Sequence, residues 1–176
     1  MALAELPVSL RPQLGAGTDE REVDVEQDRP HLAHSARIVS AWMRSPEQIL
    51  REARTIAIVG ASPRPERASH GVMRYLLGQG YRVIPVRPVD CDEVLGVPCV
   101  ASLAEIGEPV DLVDVFRRPE HAPGHAREAV EAGAGAFWLQ LGLRSPEARA
   151  VATGAGLDYV EDACTMVVHS RIRARG

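Results

Sequence analysis

The run TIAIVG, Thr55 to Gly60, constrains the fold more than any other stretch of the chain. It is apolar and β-branched, too short for a buried helix, and closed by a glycine, so it reads as a fully buried strand. A loop, ASPRPERAS, then leads into a helical pattern. A strand ending in glycine, followed by a loop that opens a helix, is the unit from which α/β proteins build phosphate sites. Further runs repeat the strand: YRVIPV (81–86), VDLVDVF (110–116), AFWLQL (136–141) and LDYVE (157–161). Helical patterns separate them. HGVMRYLLGQG (70–80) places Val72, Met73, Leu76 and Leu77 on one face and stops at Gly80. PEHAPGHAREAVEAG (119–133) and SPEARAVATGAG (145–156) also stop at glycine, and a last helix runs from about Cys164 to Arg171. Strands alternating with helices predict an α/β fold, a doubly wound, mainly parallel sheet of about five strands. Pro85 inside the second strand is an objection to that reading, because a central strand resists proline.

The ordered pattern begins at SPEQ, where Ser45 caps a helix, Pro46 opens it and Gln48 completes a capping box. That helix runs to about Ala53. Residues 1–44 show no sustained period and are expected to be a mobile N-terminal extension; residues 45–176 form the domain. GVPCV (96–100) reads as a short extended piece, and Ser102 caps a brief helix near LAEI. Hydrophobic content is 45% but aromatic content only 4%, so the core must be Val, Leu, Ile and Ala. That suits a parallel sheet covered on both faces.

The net charge of −4 falls wholly on residues 1–36, and the remainder sums to zero. No basic excess tracks a nucleic-acid backbone. All 20 cations are arginine, which reads as coding bias before function. No apolar run spans a membrane, and the N-terminus lacks a secretory pattern. Three cysteines, Cys91, Cys99 and Cys164, form no CxxC pair. They suggest a reducing, cytoplasmic compartment rather than a disulfide framework or a structural zinc site.

In such a sheet, ligands sit beyond the C-terminal strand ends. The loop after the first strand lacks the second and third glycines of a dinucleotide fingerprint. It still brings amides and the Ser62 hydroxyl to a helix start, with Arg64 and Arg67 adding charge; an ordinary βα turn explains it equally well. The second strand ends in Arg87, where an NAD site would place an acid. A cation there fits the 2′-phosphate of NADP or the 3′-phosphate of coenzyme A, and a solvated arginine is the plain alternative. His121 and His125 stand four apart, but Pro123 and Gly124 between them disfavour a regular helix and no HExxH pattern occurs. Polar residues of a first helical turn are the simpler account, and no metal site is expected.

TIAIVGASPRPERASHGVMRYLLGQGYRVIPVRP, LGVPCVASLAEIGEPVDLVDVFRRPE, AFWLQLGLRSPEA and CTMVVHSR, in that order, resemble the small stand-alone CoA-binding proteins. These are relatives of the N-terminal domain of the succinyl-CoA synthetase alpha subunit. The resemblance covers about residues 45–173 and implies a Rossmann-like fold holding coenzyme A. Carried over, it implicates Gly60, Ala61, Ser62, Pro63 and Arg67 at the phosphates. It also implicates Arg87, then Phe116, Arg117 and Arg118, and Gln140, Leu141 and Gly142 beside the nucleotide and pantetheine. The sequence departs from the pattern at Arg87-Pro88, usually Asn-Pro, and at Val168, usually Glu. The expected function is binding of CoA or an acyl-CoA without catalysis, since the phosphohistidine domain of the synthetases has no counterpart in the fifteen or so residues after the last strand. An NADP-dependent oxidoreductase is the alternative. Cys164 falls where pantetheine should end and is a candidate thiol partner, or else a buried structural cysteine. A second copy or another protein as partner stays open.

Overall fold

The computed structural model describes residues 43–89 and 92–175. The expected extension lies outside these residues except for Met43 and Arg44, and so does Cys91. Helix α1 (Pro46–Glu52) opens as the capping box predicts. The Gln48 amide donates to Ser45 Oγ at 3.2 Å, and the Ser45 amide donates to Gln48 Oε1 at 2.8 Å. Then follow β1 (Thr55–Val59), α2 (Ala68–Gly78), β2 (Arg82–Val86) and a small antiparallel hairpin, β3 (Glu93–Val94) with β4 (Val97–Pro98). After β5 (Leu112–Val115) come α3 (Ala122–Glu131), β6 (Ala136–Leu139), α4 (Pro146–Gly154), β7 (Asp158–Val160) and α5 (Thr165–Ala174).

Five strands pair in parallel in the order β2-β1-β5-β6-β7. The fold is the expected Rossmann-like α/β sheet. Helices α1, α2 and α5 cover one face, packing Ile49, Leu50, Val72, Met73 and Leu76 on Ile56, Ile58 and Trp138. Helices α3 and α4 cover the other with alanines, Ala122, Ala126, Ala129, Ala148 and Ala152, against Val113, Val115 and Phe137. Such small side chains let these two helices lie close to the sheet and to each other. Trp138 and Phe137, fully buried on opposite faces of β6, supply most of the aromatic bulk.

Pro85 finds its place because β2 is an edge strand of this sheet. Its peptide edge turns away from β1, and its carbonyl accepts the Val100 N–H at 3.0 Å, so no ladder bond is lost. Two expectations need correction. Helix α3 runs through Pro123 and Gly124, because Pro123 sits in the first turn, where its missing N–H has no intrahelical acceptor. And Cys99 is disulfide-bonded rather than a thiol, while Cys164 is free. Spacing alone could not show this, since the β3–β4 hairpin, not the sequence interval, decides where Cys99 lies.

Candidate functional site

Strand order reverses between β1 and β5. The chain leaves β1 for α2 on one face and leaves β5 for α3 on the other, so the two departing loops open a crevice. A cavity of about 700 Å³ occupies it. Gly60, Ser62, Arg64, Arg67, Ala68 and Ser69 form one wall, Phe116, Arg117, Arg118 and His121 the other, and Arg87 closes the end next to β2.

Gly60 is where the two walls nearly meet. Its φ is +86°, and a Cβ there would lie 2.9 Å from the Arg117 side chain and 3.3 Å from the Phe116 carbonyl. The backbone conformation favours glycine, and a side chain there would also have to push Arg117 aside. The Gly60 N–H donates to Val86 O at 3.0 Å, which ties the start of the loop to β2.

Beyond Gly60, the loop is held from inside. Ser62 is only 7% exposed. Its Oγ accepts the Arg64 N–H at 3.3 Å, and its carbonyl lies 3.1 Å from Nδ1 of His70, which donates to it. His70 is itself 5% exposed in the first turn of α2. The loop is therefore pinned to the helix it opens, and Ala68 and Ser69, whose amides lack intrahelical acceptors, line the cavity. No side chain caps this helix, so its positive end is open to an anion.

Five guanidinium groups surround the cavity, and among the described residues lining it there is no carboxylate. Arg87, half-buried, is the most constrained: Nε donates to Val89 O at 2.8 Å and Nη1 to Ala61 O at 3.4 Å. The stem of Arg117 lies over Gly60. Arg118 reaches Glu120 only at 3.8 Å, with both side chains largely exposed, an arrangement that contributes little. Such a crevice can hold several negative charges at once. It contains little for proton transfer beyond His121. His125, the other half of the histidine pair, is turned to Glu128 at 2.9 Å, and no metal-binding cluster occurs among the described residues.

The remaining expected residues are placed elsewhere. Ala61 is buried beneath the loop and Pro63 is exposed on it. Gln140, Leu141 and Gly142 do not line the cavity. Leu141 is 69% exposed, and Gly142 donates its N–H to Asp162 Oδ1 at 2.8 Å. Gln140 turns inward: Nε2 contacts both oxygens of Asp114, at 2.7 and 2.8 Å, and Thr165 Oγ1 at 2.8 Å. The Thr165 hydroxyl donates to Asp114 Oδ2 at 3.0 Å. Asp114 has no exposure, and burial pushes its carboxyl up to about 7 against the hydrogen bonds that favour the ion. Cys164 precedes Thr165 at the start of α5 and is half-buried. Since Thr165 grips β5 two residues before Phe116, Cys164 is anchored near the crevice without lining it.

His70 and Asp114 are absent from the expected set. Each carried a signal: a histidine beside Ser69 on the apolar side of α2, and a carboxylate in the middle of VDLVDV, where every neighbour is apolar. Arg64 and His121, noted for other reasons, also belong to the wall.

Comparison with known proteins places the chain in a family. Residues 54–170 match the sequence model of a family described as a CoA binding domain. YneT of Bacillus subtilis (strain 168) is 44% identical over 124 residues, which is 70% of this chain and 91% of that protein. The structure of cell-free ID.343 from Thermus thermophilus is 42% identical, with a TM-score of 0.69, over 73% of this chain and 99% of that one. A dinucleotide-forming acetyl-coenzyme A synthetase from Ca. Korarchaeum cryptofilum shares the fold at 23% identity and a TM-score of 0.54, over 60% of this chain and 25% of the synthetase. The chain belongs to the CoA-binding domain family.

Proposed function

We propose that the chain binds coenzyme A or an acyl-CoA in the β1–β5 crevice and performs no chemistry of its own on it. The five-arginine wall without a carboxylate carries this reading. Coenzyme A brings three phosphates in two clusters, a diphosphate and a ribose 3′-phosphate. The diphosphate suits the Ser62 loop and the first amides of α2, where helix-end charge and backbone donors coincide. The 3′-phosphate suits Arg87, whose guanidinium is already oriented by two carbonyls. Gly60 lets the ligand approach the backbone, and Phe116 offers an apolar surface to the pantetheine arm.

Arg87 provides the test. A charge-assisted contact of this kind is worth about 1.5–3 kcal/mol, so dephospho-CoA should bind roughly ten- to a hundredfold more weakly than CoA. Arg87→Ala should erase that difference, read by titration calorimetry with both ligands. A mutant that keeps the full preference would move the 3′-phosphate to another arginine. NADP, also carrying a ribose phosphate, is the second reading. It is discarded if acetyl-CoA raises the melting temperature and NADP at equal concentration does not.

Cys164 gives a separate expectation. With CoA disulfide, its thiolate attacks one sulfur of the ligand, forming a protein–CoA disulfide and releasing one CoA thiolate. Intact-mass spectrometry should show one CoA adduct that disappears in Cys164→Ser; an adduct that survives the substitution would remove Cys164 from the pantetheine end.

A further inference from the structure

We infer that His70 is a positioning residue for the diphosphate: its ring holds the Ser62 carbonyl, so that the loop and the start of α2 are ordered before the ligand arrives while their amides stay uncapped. This rests on the diphosphate lying at that loop, as proposed above.

His70 is the third residue of α2, a position whose side chain points back toward the residues before the helix. A capping box places Glu or Gln there and a second acceptor at the N-cap, and each takes up a free amide of the helix start. Helix α2 has neither. Its N-cap is Arg67, no side chain caps it, and its third residue carries a donor. The His70 ring reaches past the N-cap, with Nδ1 3.1 Å from Ser62 O. A carbonyl only accepts, so Nδ1 carries the proton. The helix is thereby tied to the loop without using up an amide. Among the described residues, the N–H groups of Ala68 and Ser69 meet no acceptor, and neither do those of Ala61 and Ser62. Ser62, Ala68 and Ser69 line the arginine-walled cavity, and open amides in such a place are what an anion completes.

The hold on Ser62 decides how the loop stands. Ser62 precedes a proline, so the peptide that joins them has a carbonyl but no N–H, and His70 holds that carbonyl. On the other side, Arg87 Nη1 donates to Ala61 O at 3.4 Å. Both peptides of Ser62 are thus fixed by their carbonyls, and a planar trans peptide sets the Ser62 N–H opposite Ala61 O. Without His70, the Ser62 carbonyl is a buried acceptor with no donor, and that penalty turns it elsewhere. The loop then has to be ordered again on binding, and fixing the backbone of one residue lowers affinity about five- to thirtyfold. The Arg87 end is untouched.

The experiment compares CoA with adenosine 3′-monophosphate, which has the ribose phosphate and no diphosphate, by titration calorimetry on the full chain. His70→Leu keeps bulk and removes the donor. His70→Asn keeps a donor, because its Nδ2 stands as far along the side chain as Nδ1 does. The expected result is CoA binding about tenfold weaker in His70→Leu. In His70→Asn it should recover to within about threefold of wild type, and adenosine 3′-monophosphate should bind all three proteins alike. Wild-type CoA affinity in His70→Leu overturns the proposal. So does an equal loss in both variants, which would put packing rather than the donor at work. Should His70→Leu fail to fold, the wild-type chain decides: ring-nitrogen NMR should find the His70 proton on Nδ1, with its exchange slowed by saturating CoA. A proton on Nε2 alone, or an exchange rate that CoA leaves unchanged, overturns the proposal. Ser62→Asp separates the two readings. If it abolishes CoA binding while His70→Leu does not weaken it, the diphosphate site stands and only the part given to His70 falls. If neither variant changes CoA affinity, the diphosphate lies elsewhere and both readings fall.

Discussion

Ser62→Asp should remove CoA binding from the calorimetric range while the protein melts within a few degrees of the wild type. The expectation follows from where the side chain sits. Ser62 is nearly buried in the loop between β1 and α2, with its Oγ already an acceptor for the Arg64 N–H and its carbonyl held by His70. A carboxylate at this position keeps the acceptor role, and Arg64, Arg67 and Arg87 stand around the cavity to neutralise it, so the fold has no reason to fail. The ligand has. A unit negative charge about 4 Å from a phosphate opposes it by roughly 4 kcal/mol at an effective dielectric constant of 20. That is close to a thousandfold in affinity, before counting the arginines that the new carboxylate occupies. Ser62→Ala separates charge from hydrogen bonding, and should weaken binding by no more than about tenfold, the scale of one neutral hydrogen bond. Affinity within threefold of wild type in Ser62→Asp would mean that the diphosphate lies elsewhere in the crevice.

The β1 loop was legible in the sequence because its constraints are local. TIAIVG can only be a buried strand, Gly60 can only end it, and a helix must follow for the apolar face of HGVMRYLL to be covered. The capping box at Ser45 was legible for the same reason: donors and acceptors lie three residues apart. Arg87 could be singled out because a βαβ unit puts the end of its second strand beside the first loop. What the sequence hid depends on contacts between distant segments. Gln140 follows a strand just as Arg87 does, yet it turns inward, because Asp114 on the neighbouring strand and Thr165 on α5 offer it buried partners. His70 looks like an ordinary helix residue until the loop folds back over it. The tolerance of α3 for Pro123 turns on one residue of helix phase: a turn later, the same proline would have broken the helix. And the hairpin that precedes Cys99 is too short to announce itself by periodicity.

Asp114 carries the largest expected effect on stability, and its sign can be worked out. The carboxyl is fully buried on β5, level with Ile58 on one side and Trp138 on the other. Its polar contacts are neutral, Gln140 and Thr165, with no cation among them. Burial opposes ionisation more than these donors favour it, so its pKa rises from the ordinary carboxylate range to about 7. A group whose pKa is raised by folding gives its full stability below the unfolded value, near 4, and loses it as pH climbs through the folded value. Over that window of about three pH units the loss approaches roughly 4 kcal/mol. Other carboxyls run the opposite way: Asp162, held down by the Gly142 N–H and Arg144, and Glu161, held down by Arg149 and Tyr159 despite its burial, both favour folding as pH rises. Raw stability curves therefore mix the two trends. Asp114→Asn separates them, since it leaves the other groups in place. The new amide can accept from Gln140 through Oδ1 and donate to the Thr165 hydroxyl through Nδ2, and the one contact given up is that of Gln140 Nε2 with the second carboxylate oxygen. Denaturant unfolding of both proteins from pH 4 to pH 9 should give nearly equal stabilities at the acid end. The advantage of the variant should grow between pH 4 and about 7 and stay level above it. A difference that is constant across the range would show that Asp114 does not change its protonation on folding. A variant that is less stable at pH 8 would show that the ion itself is what Gln140 and Thr165 are built to hold.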